Sequence, residues 1–340
     1  MLLVVAYHVA QMCFVQNEKT SASLPFLVLF RMPLFFFVSG FLSYKASFAW
    51  TAEAVGRQLW RKFLVQVFPA LIFLSVYIIF RINGDFWHHF TRLMSYPTKG
   101  GYWFTWVLLQ MYLIYYLYVS FVRTLVSTSR KPLLLENISL WVLFFLSVFV
   151  YATMYMPKVF TYHKAHFFQY SSLIETMKFM QFFVLGNLLH RYWPVVQRLF
   201  NSAWFFPLLV LVAFFSCADI FRWHTMKHMW TNLPRTLAMY SLLMIVIICF
   251  FHYAASFTRE HVIGRSLQYI GVRTLDIYLL HLILMPRVPE IGKWLNAHQP
   301  NFLLDILLAF SFALPVIAMC CLVSHVLRVS PFFSKYLFGR

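Results

Sequence analysis

An all-α membrane bundle of about ten transmembrane helices is the fold class this sequence predicts. Three observations predict it. The 340-residue chain is 61% hydrophobic and only 11% charged, whereas a soluble domain carries about 25% charged residues. Its mean hydropathy is +0.71. Its apolar runs approach the roughly twenty residues that cross a hydrocarbon core of about 30 Å, without the apolar/polar alternation of a membrane β-barrel. Together they exclude a soluble enzyme, a disordered chain and a nucleic-acid-binding domain.

Ten apolar segments follow in order: 1–15, 26–48, 64–82, 102–122, 138–156, 172–190, 203–221, 236–255, 267–286 and 302–327. The first is short and begins without a basic lead-in or a small-residue cleavage site, so it reads as part of a longer first helix rather than as a signal peptide. Basic residues mark one set of connections: Lys45, Arg57, Arg61 and Lys62; Arg123, Arg130 and Lys131; Arg191 and Arg198; Arg259 and Arg265; and Arg328, Lys335 and Arg340 at the end. Placing these inside puts both termini in the cytoplasm. The opposite loops also carry charge, including Arg81, Lys99 and Lys227. No repeat, linker or soluble module interrupts the pattern, and residues 1–340 read as one membrane domain.

The formal net charge is +18. In a soluble chain that balance points to nucleic acid; here the basic residues flank apolar runs and meet anionic lipid. Cys13, Cys217, Cys249, Cys320 and Cys321 show no metal-type C-x-x-C pair and no disulfide framework. His224 and His228, four apart with Asp219 near, have a zinc-type spacing but lack an obvious third ligand; no metal is expected. His88, His89, His163 and His166 fall in loops.

Titratable groups inside a bilayer are expensive and are functional candidates for that reason. His8 lies in the apolar run Leu2-Leu3-Val4-Val5-Ala6-Tyr7-His8-Val9, as a packing histidine or a general base. Arg31 opens Arg31-Met32-Pro33-Leu34-Phe35 near the outer end of the second helix, as a snorkelling anchor or an anion ligand. Pro33 suits a first helical turn. His281, counted along a straight helix from residue 267, lies about 21 Å from the cytoplasmic end, a level that His8 and Arg31 can share. Asp276 has Arg273 as its nearest partner in sequence, three residues away. Arg57 and Arg61 share one helix face and, with Lys62, form a cluster suited either to topology or to phosphate. Tyr102, Trp103 and Trp106 read as an interfacial belt or a surface for sugar rings.

Several of these strings resemble acyltransferase family 3, the integral membrane acyltransferases. Leu2 to His8 resembles the first-helix histidine motif. Phe35-Phe36-Phe37-Val38-Ser39-Gly40-Phe41-Leu42 resembles the second-helix pattern Phe-Phe-x-x-Ser-Gly-Phe-Leu. Tyr102-Trp103-Phe104 with Leu108, Phe183-Val184-Leu185-Gly186-Asn187-Leu188-Leu189, and Gly271 to His281 resemble strings of the fourth, sixth and ninth helices. The resemblance covers nearly the whole chain. Two departures stand out. The arginine that the family carries upstream of the first-helix histidine falls before Met1, and the cytoplasmic Arg-x-x-Arg becomes Arg57-x-x-x-Arg61 followed by Lys62.

The resemblance implies transfer of an acyl group, often acetyl, from cytoplasmic acyl-CoA to a hydroxyl of an envelope glycan or polysaccharide at a cell inner membrane. Acyl-CoA is then a co-substrate, with no bound cofactor. His8, Arg31 and His281 would be catalytic. Arg57, Arg61 and Lys62 would meet the donor phosphates, while the pantetheine arm carries the thioester into the bilayer. Trp103 and Tyr278 would bind the acceptor. The chemistry asks for a base on the hydroxyl and a partner for the developing oxyanion, Arg31 or Tyr278. The competing reading is a transporter or flippase for a lipid-linked glycan, since intramembrane His and Arg also mark transport paths.

Overall fold

The structure, a computed structural model, describes residues 1–21, 23–44, 51–82, 84–127, 129–155, 166–221, 232–258, 260–297 and 301–338. His163, His224, His228, Lys45, Arg259 and Lys227, and the side chain of Asp219, lie outside the described residues. The described residues are mostly helical, with no strand among them. Six helices are long and apolar enough to cross a membrane: Ser23–Ser43, Ala52–Arg81, Trp103–Ser127, Pro132–Met154, Leu233–Tyr253 and Phe302–Leu327. Two helix pairs qualify only when each is taken as one broken span, Trp193–Phe200 with Phe205–Cys217 and Val262–Val272 with Thr274–Leu284. The protein is therefore a multi-pass membrane bundle with six to eight such spans among its described residues. Two of the ten expected segments form helices that fall short of this standard. Leu2–Cys13 is too short, and Leu173–Arg191 carries Glu175, Lys178 and Arg191 in its 19 residues.

The backbone groups into two compact units, Met1–Met32 with Arg198–Lys335, and Pro33–Gln197 with Tyr336–Arg340. In the first, Phe302–Leu327 packs against both Leu2–His8 and Thr274–Leu284. Ala6 and Ala10 on the first helix are fully buried, as are Ala309 and Ala313 on the last. Small residues at four-residue spacing let membrane helices approach closely where lipid supplies no hydrophobic drive between them. The helix Ser23–Ser43 is started from a distance. Ser23 N and Ser21 Oγ both donate to Asp305 Oδ2, so a carboxylate 282 residues away answers the positive helix end. This remote cap begins the helix well before Pro33, which lies inside it rather than in a first turn. Membrane helices tolerate an interior proline because neighbouring groups compensate for the lost bond.

In the second unit the polar-tinged Leu173–Arg191 is the buried element: Gln181, Phe182, Phe183, Val184 and Asn187 are all inaccessible. Its crossing with the end of Ser23–Ser43 explains two of the family-like strings. A Cβ on Gly40 would strike the Phe183 carbonyl, and one on Gly186 would strike the Phe37 carbonyl. The two glycines thus let the helix backbones touch. Asn187 Nδ2 then donates to Gly40 O and Ser43 Oγ, each at 2.9 Å, and His190 Nδ1 donates to Phe41 O. Replacing Gly40 by alanine should reduce stability by at least the roughly 1–3 kcal/mol of an overpacked core, because backbone cannot yield cheaply. Gly56→Ala, with open space around it, is the control. A thermal midpoint for Gly40→Ala equal to that of Gly56→Ala in detergent would refute the close crossing.

Candidate active site

His8 ends the α-helical turn Leu2–His8, and Val9–Cys13 continues in the wider π form. Such local widening re-aims side chains and recurs at functional sites. The His8 ring centroid lies 5.2 Å from that of His281, at 42°. His281 is 1% exposed. Its Nδ1 lies 3.0 Å from Ile277 O and 2.8 Å from Tyr278 O, so Nδ1 carries the proton. Arg31 is the third member, with its guanidinium carbon 3.2 Å from the centre of the Tyr7 ring. It stands eight residues after Ser23, about 12 Å along the helix, and so lies in the helix interior and not at its outer end. No described carboxylate pairs with it. Four atoms here are buried with no partner in the protein: His8 Nδ1, His281 Nε2, Arg31 Nε and Arg31 Nη1.

The route by which His281 reaches this place differs from the straight helix expected over 267–286. Val262–Val272 and Thr274–Leu284 meet at 80°. Around the break, Thr274 Oγ donates to Gly271 O and Ile270 O, which gives carbonyls at a helix end an alternative partner. His281 is then seven residues into the second piece, about 10 Å along it, and the rise counted from residue 267 does not apply. Asp276, expected to pair with Arg273, does not. Its carboxylate takes two bonds from Arg328, 3.0 Å from Nε and 2.8 Å from Nη2, and a third from Ser324 Oγ. Arg273 instead lies over the Tyr269 ring. The planar fork of Arg328 suits a carboxylate, and Phe302–Leu327, which packs on this helix, brings Arg328 and Ser324 to it. The sequence offered no signal for a partner 52 residues away.

Of the other expected site residues, Arg57, Arg61, Lys62 and Trp103 lie in the second unit and Tyr278 in the first. Arg57 and Arg61 are exposed, and Arg57 pairs with Glu53 on its own helix. The Lys62 ammonium lies 3.4 Å from the centre of the Tyr112 ring. Trp103 is half-buried and stacks on Phe179, 5.8 Å between centroids at 23°. Trp106 Nε1 and Gln110 Nε2 both donate to Ser171 O. Tyr278 is buried and enters the site through its backbone carbonyl on His281. Among the described residues no group of three or more His, Cys, Asp or Glu is arranged to hold a metal.

With this geometry in place, comparison with known proteins gives a decisive match. The family model described as an acyltransferase domain, that of acyltransferase family 3, matches residues 1–325. The chain belongs to that family. No curated protein and no solved structure matches it. Membership makes this a membrane acyltransferase in general terms, and the matched span includes every residue of the His8–Arg31–His281 cluster.

Two predictions test how the acyltransferase holds its framework. Asp276 is 2% exposed, and removing one partner of a buried ion pair costs about 3–5 kcal/mol. Asp276→Ala should therefore lower the thermal midpoint sharply, and an unchanged midpoint would show that the pair is dispensable. Lys99 precedes the Trp103–Ser127 helix, is 3% exposed, and donates to Met94 O and Tyr170 O. Burial holds its pKa down to about 8, from an ordinary 10.5. Between those values the unfolded chain binds more protons than the native one, so stability rises with pH across that window and levels off above it. Melting curves from pH 8 to 10.5 should show this slope in the wild type and a flatter one in Lys99→Met.

Proposed function

We propose that this acyltransferase moves a small acyl group, acetyl foremost, from cytoplasmic acyl-CoA to a hydroxyl of an envelope glycan or polysaccharide. In this reading it works in a cell inner membrane with both termini in the cytoplasm. The observation that carries it is the set of four unpartnered polar atoms on His8, Arg31 and His281. Leaving one buried polar atom unpaired costs about 1–3 kcal/mol, so several gathered in one place point to a ligand that pairs them.

Each residue has a task in such a transfer. A thioester is already activated, and the remaining demands are a proton acceptor for the hydroxyl and a donor for the oxyanion of the tetrahedral intermediate. The imidazole pair supplies the first. Arg31, cationic and not paired with a carboxylate, supplies the second, with Tyr278 as the alternative donor. Arg57 and Arg61 are the proposed contacts for the donor phosphates, in keeping with guanidinium recognition of phosphate. Lys62, whose ammonium also meets the Tyr112 ring, is the third proposed contact. Trp103 is the proposed aromatic wall for the acceptor, through what its contact with Phe179 leaves open.

A second reading, a flippase for a lipid-linked glycan, draws on the broken pair at Arg273, since discontinuous helices line transporter sites. Acetyl transfer from acetyl-CoA by protein purified in detergent, with extracted envelope polysaccharide as acceptor, separates the two. A transferase needs no sealed membrane and a flippase does. Wild type should transfer, and His8→Ala should lose most of that transfer while eluting as folded protein. Full transfer by His8→Ala would remove His8 from the mechanism; activity confined to sealed vesicles would favour the flippase.

A further inference from the structure

The pair of histidines is not symmetric, and its asymmetry assigns the proton. His281 Nδ1 faces two backbone carbonyls of its own helix, at 3.0 and 2.8 Å. A carbonyl only accepts, so Nδ1 must be the protonated nitrogen of the neutral ring. The other nitrogen, Nε2, then carries a bare lone pair. It is buried with no donor in the protein, on a residue 1% exposed. His8 has no such backbone anchor, and its Nδ1 is buried and unpartnered. The ring of His8 lies 5.2 Å from that of His281, and nitrogens on two rings so placed can share one oxygen at about 3 Å from each.

We infer that His281, through Nε2, is the general base that takes the acceptor's hydroxyl proton, and that His8 is the partner that orients the hydroxyl oxygen. This rests on the acyl-transfer reading above and apportions its proton. The hydroxyl donates to His281 Nε2, the one nitrogen that the backbone bonds force to accept. The hydroxyl oxygen receives a bond from His8 Nδ1–H. As the oxygen attacks the thioester carbonyl carbon, a C–O bond forms, the hydroxyl proton passes to His281 Nε2, and the carbonyl π pair moves onto oxygen beside Arg31. Collapse restores the carbonyl and breaks the C–S bond. The electron pair leaves on sulfur, which takes the proton back from His281 Nε2 and departs as the free thiol. The base is thus regenerated, with no further reactant consumed.

Two measurements decide it. The first needs no turnover. The wild-type protein is labelled with ¹⁵N-histidine in bilayers, and its His281 resonance is assigned by its loss in His281→Gln. Solid-state NMR should then show His281 protonated at Nδ1 and bare at Nε2. A proton found on Nε2 of the neutral ring overturns the inference whether or not transfer is observed. The second is the pH profile of transfer from acetyl-CoA to extracted polysaccharide. His281→Gln should lose on the order of 10²–10⁴-fold in kcat, keep its KM for acetyl-CoA, and lose the limb on which activity rises as a base deprotonates. His8→Ala should be slower yet retain that limb. The reverse pattern, with the limb lost in His8→Ala and kept in His281→Gln, overturns the inference while leaving acyl transfer intact. If the wild type transfers to no hydroxyl, the acyl-transfer reading fails, and the assignment of His281 as base falls with it even where the NMR confirms the tautomer.

Discussion

A polar group inside a membrane protein has no water to turn to, so the protein must answer it. That constraint organises what is seen here. Asp305 answers the start of the Ser23–Ser43 helix, and Arg328 with Ser324 answers Asp276. Asn187 answers backbone exposed by the close approach at Gly40, and Gln110 Oε1 accepts from Thr176 Oγ. Against this background the exceptions carry information. Of ten buried side-chain atoms without a partner among the described residues, four sit on His8, Arg31 and His281. Asn187 and Asp305 contribute one each, and in both the other side-chain atom is bonded. The other six fall one to a residue, on Gln16, Gln66, Asn137, Asn187, Arg273 and Asp305, and it is the gathering of four on His8, Arg31 and His281 that calls for an explanation.

The family-like strings divide by the work they do. Phe35 to Leu42 and Phe183 to Leu189 meet in a backbone-to-backbone crossing whose glycines have no room for a side chain. That crossing is a matter of close packing, held by the bonds of Asn187. Leu2 to His8 and Gly271 to His281 instead bring two imidazoles together. Similar specificity of sequence thus arises from two causes, steric in one unit and electrostatic in the other, and only the second is evidence about a reaction.

Much of this was legible in the sequence, and the rest follows a pattern. Apolar runs located the helices because burial in lipid depends on composition over about twenty residues. The intramembrane His8, Arg31 and His281 stood out for the same reason. What failed were inferences from nearest neighbours in sequence. Asp276 ignored Arg273 three residues away for Arg328, because the bidentate partner came with a packed helix. Pro33 was read as a helix start because the true cap, Asp305, lies in a distant segment. The break at Arg273 has no signal in the sequence because an apolar stretch reads the same whether the helix is straight or bent at 80°. Hydropathy records where a segment lies, and tertiary partners decide how it bends and what its charges meet.

In the proposed transfer, the choice of partner for Arg31 bears directly on reactivity. A guanidinium among apolar helices needs stabilisation, and a carboxylate would supply most of it. A carboxylate would also neutralise the charge and occupy the donors that an oxyanion requires. Tyr7 provides a different solution: the aromatic face attracts the cation at 3.2 Å while leaving Nε and Nη1 unpaired. The cation is held without being neutralised. In a site of low dielectric its attraction for a developing negative charge is several times what it would be in water. Because the donors are already in place, little reorganisation is needed when that charge appears. Stacking Arg31 on Tyr7 therefore keeps available the one formal positive charge that the tetrahedral intermediate would need.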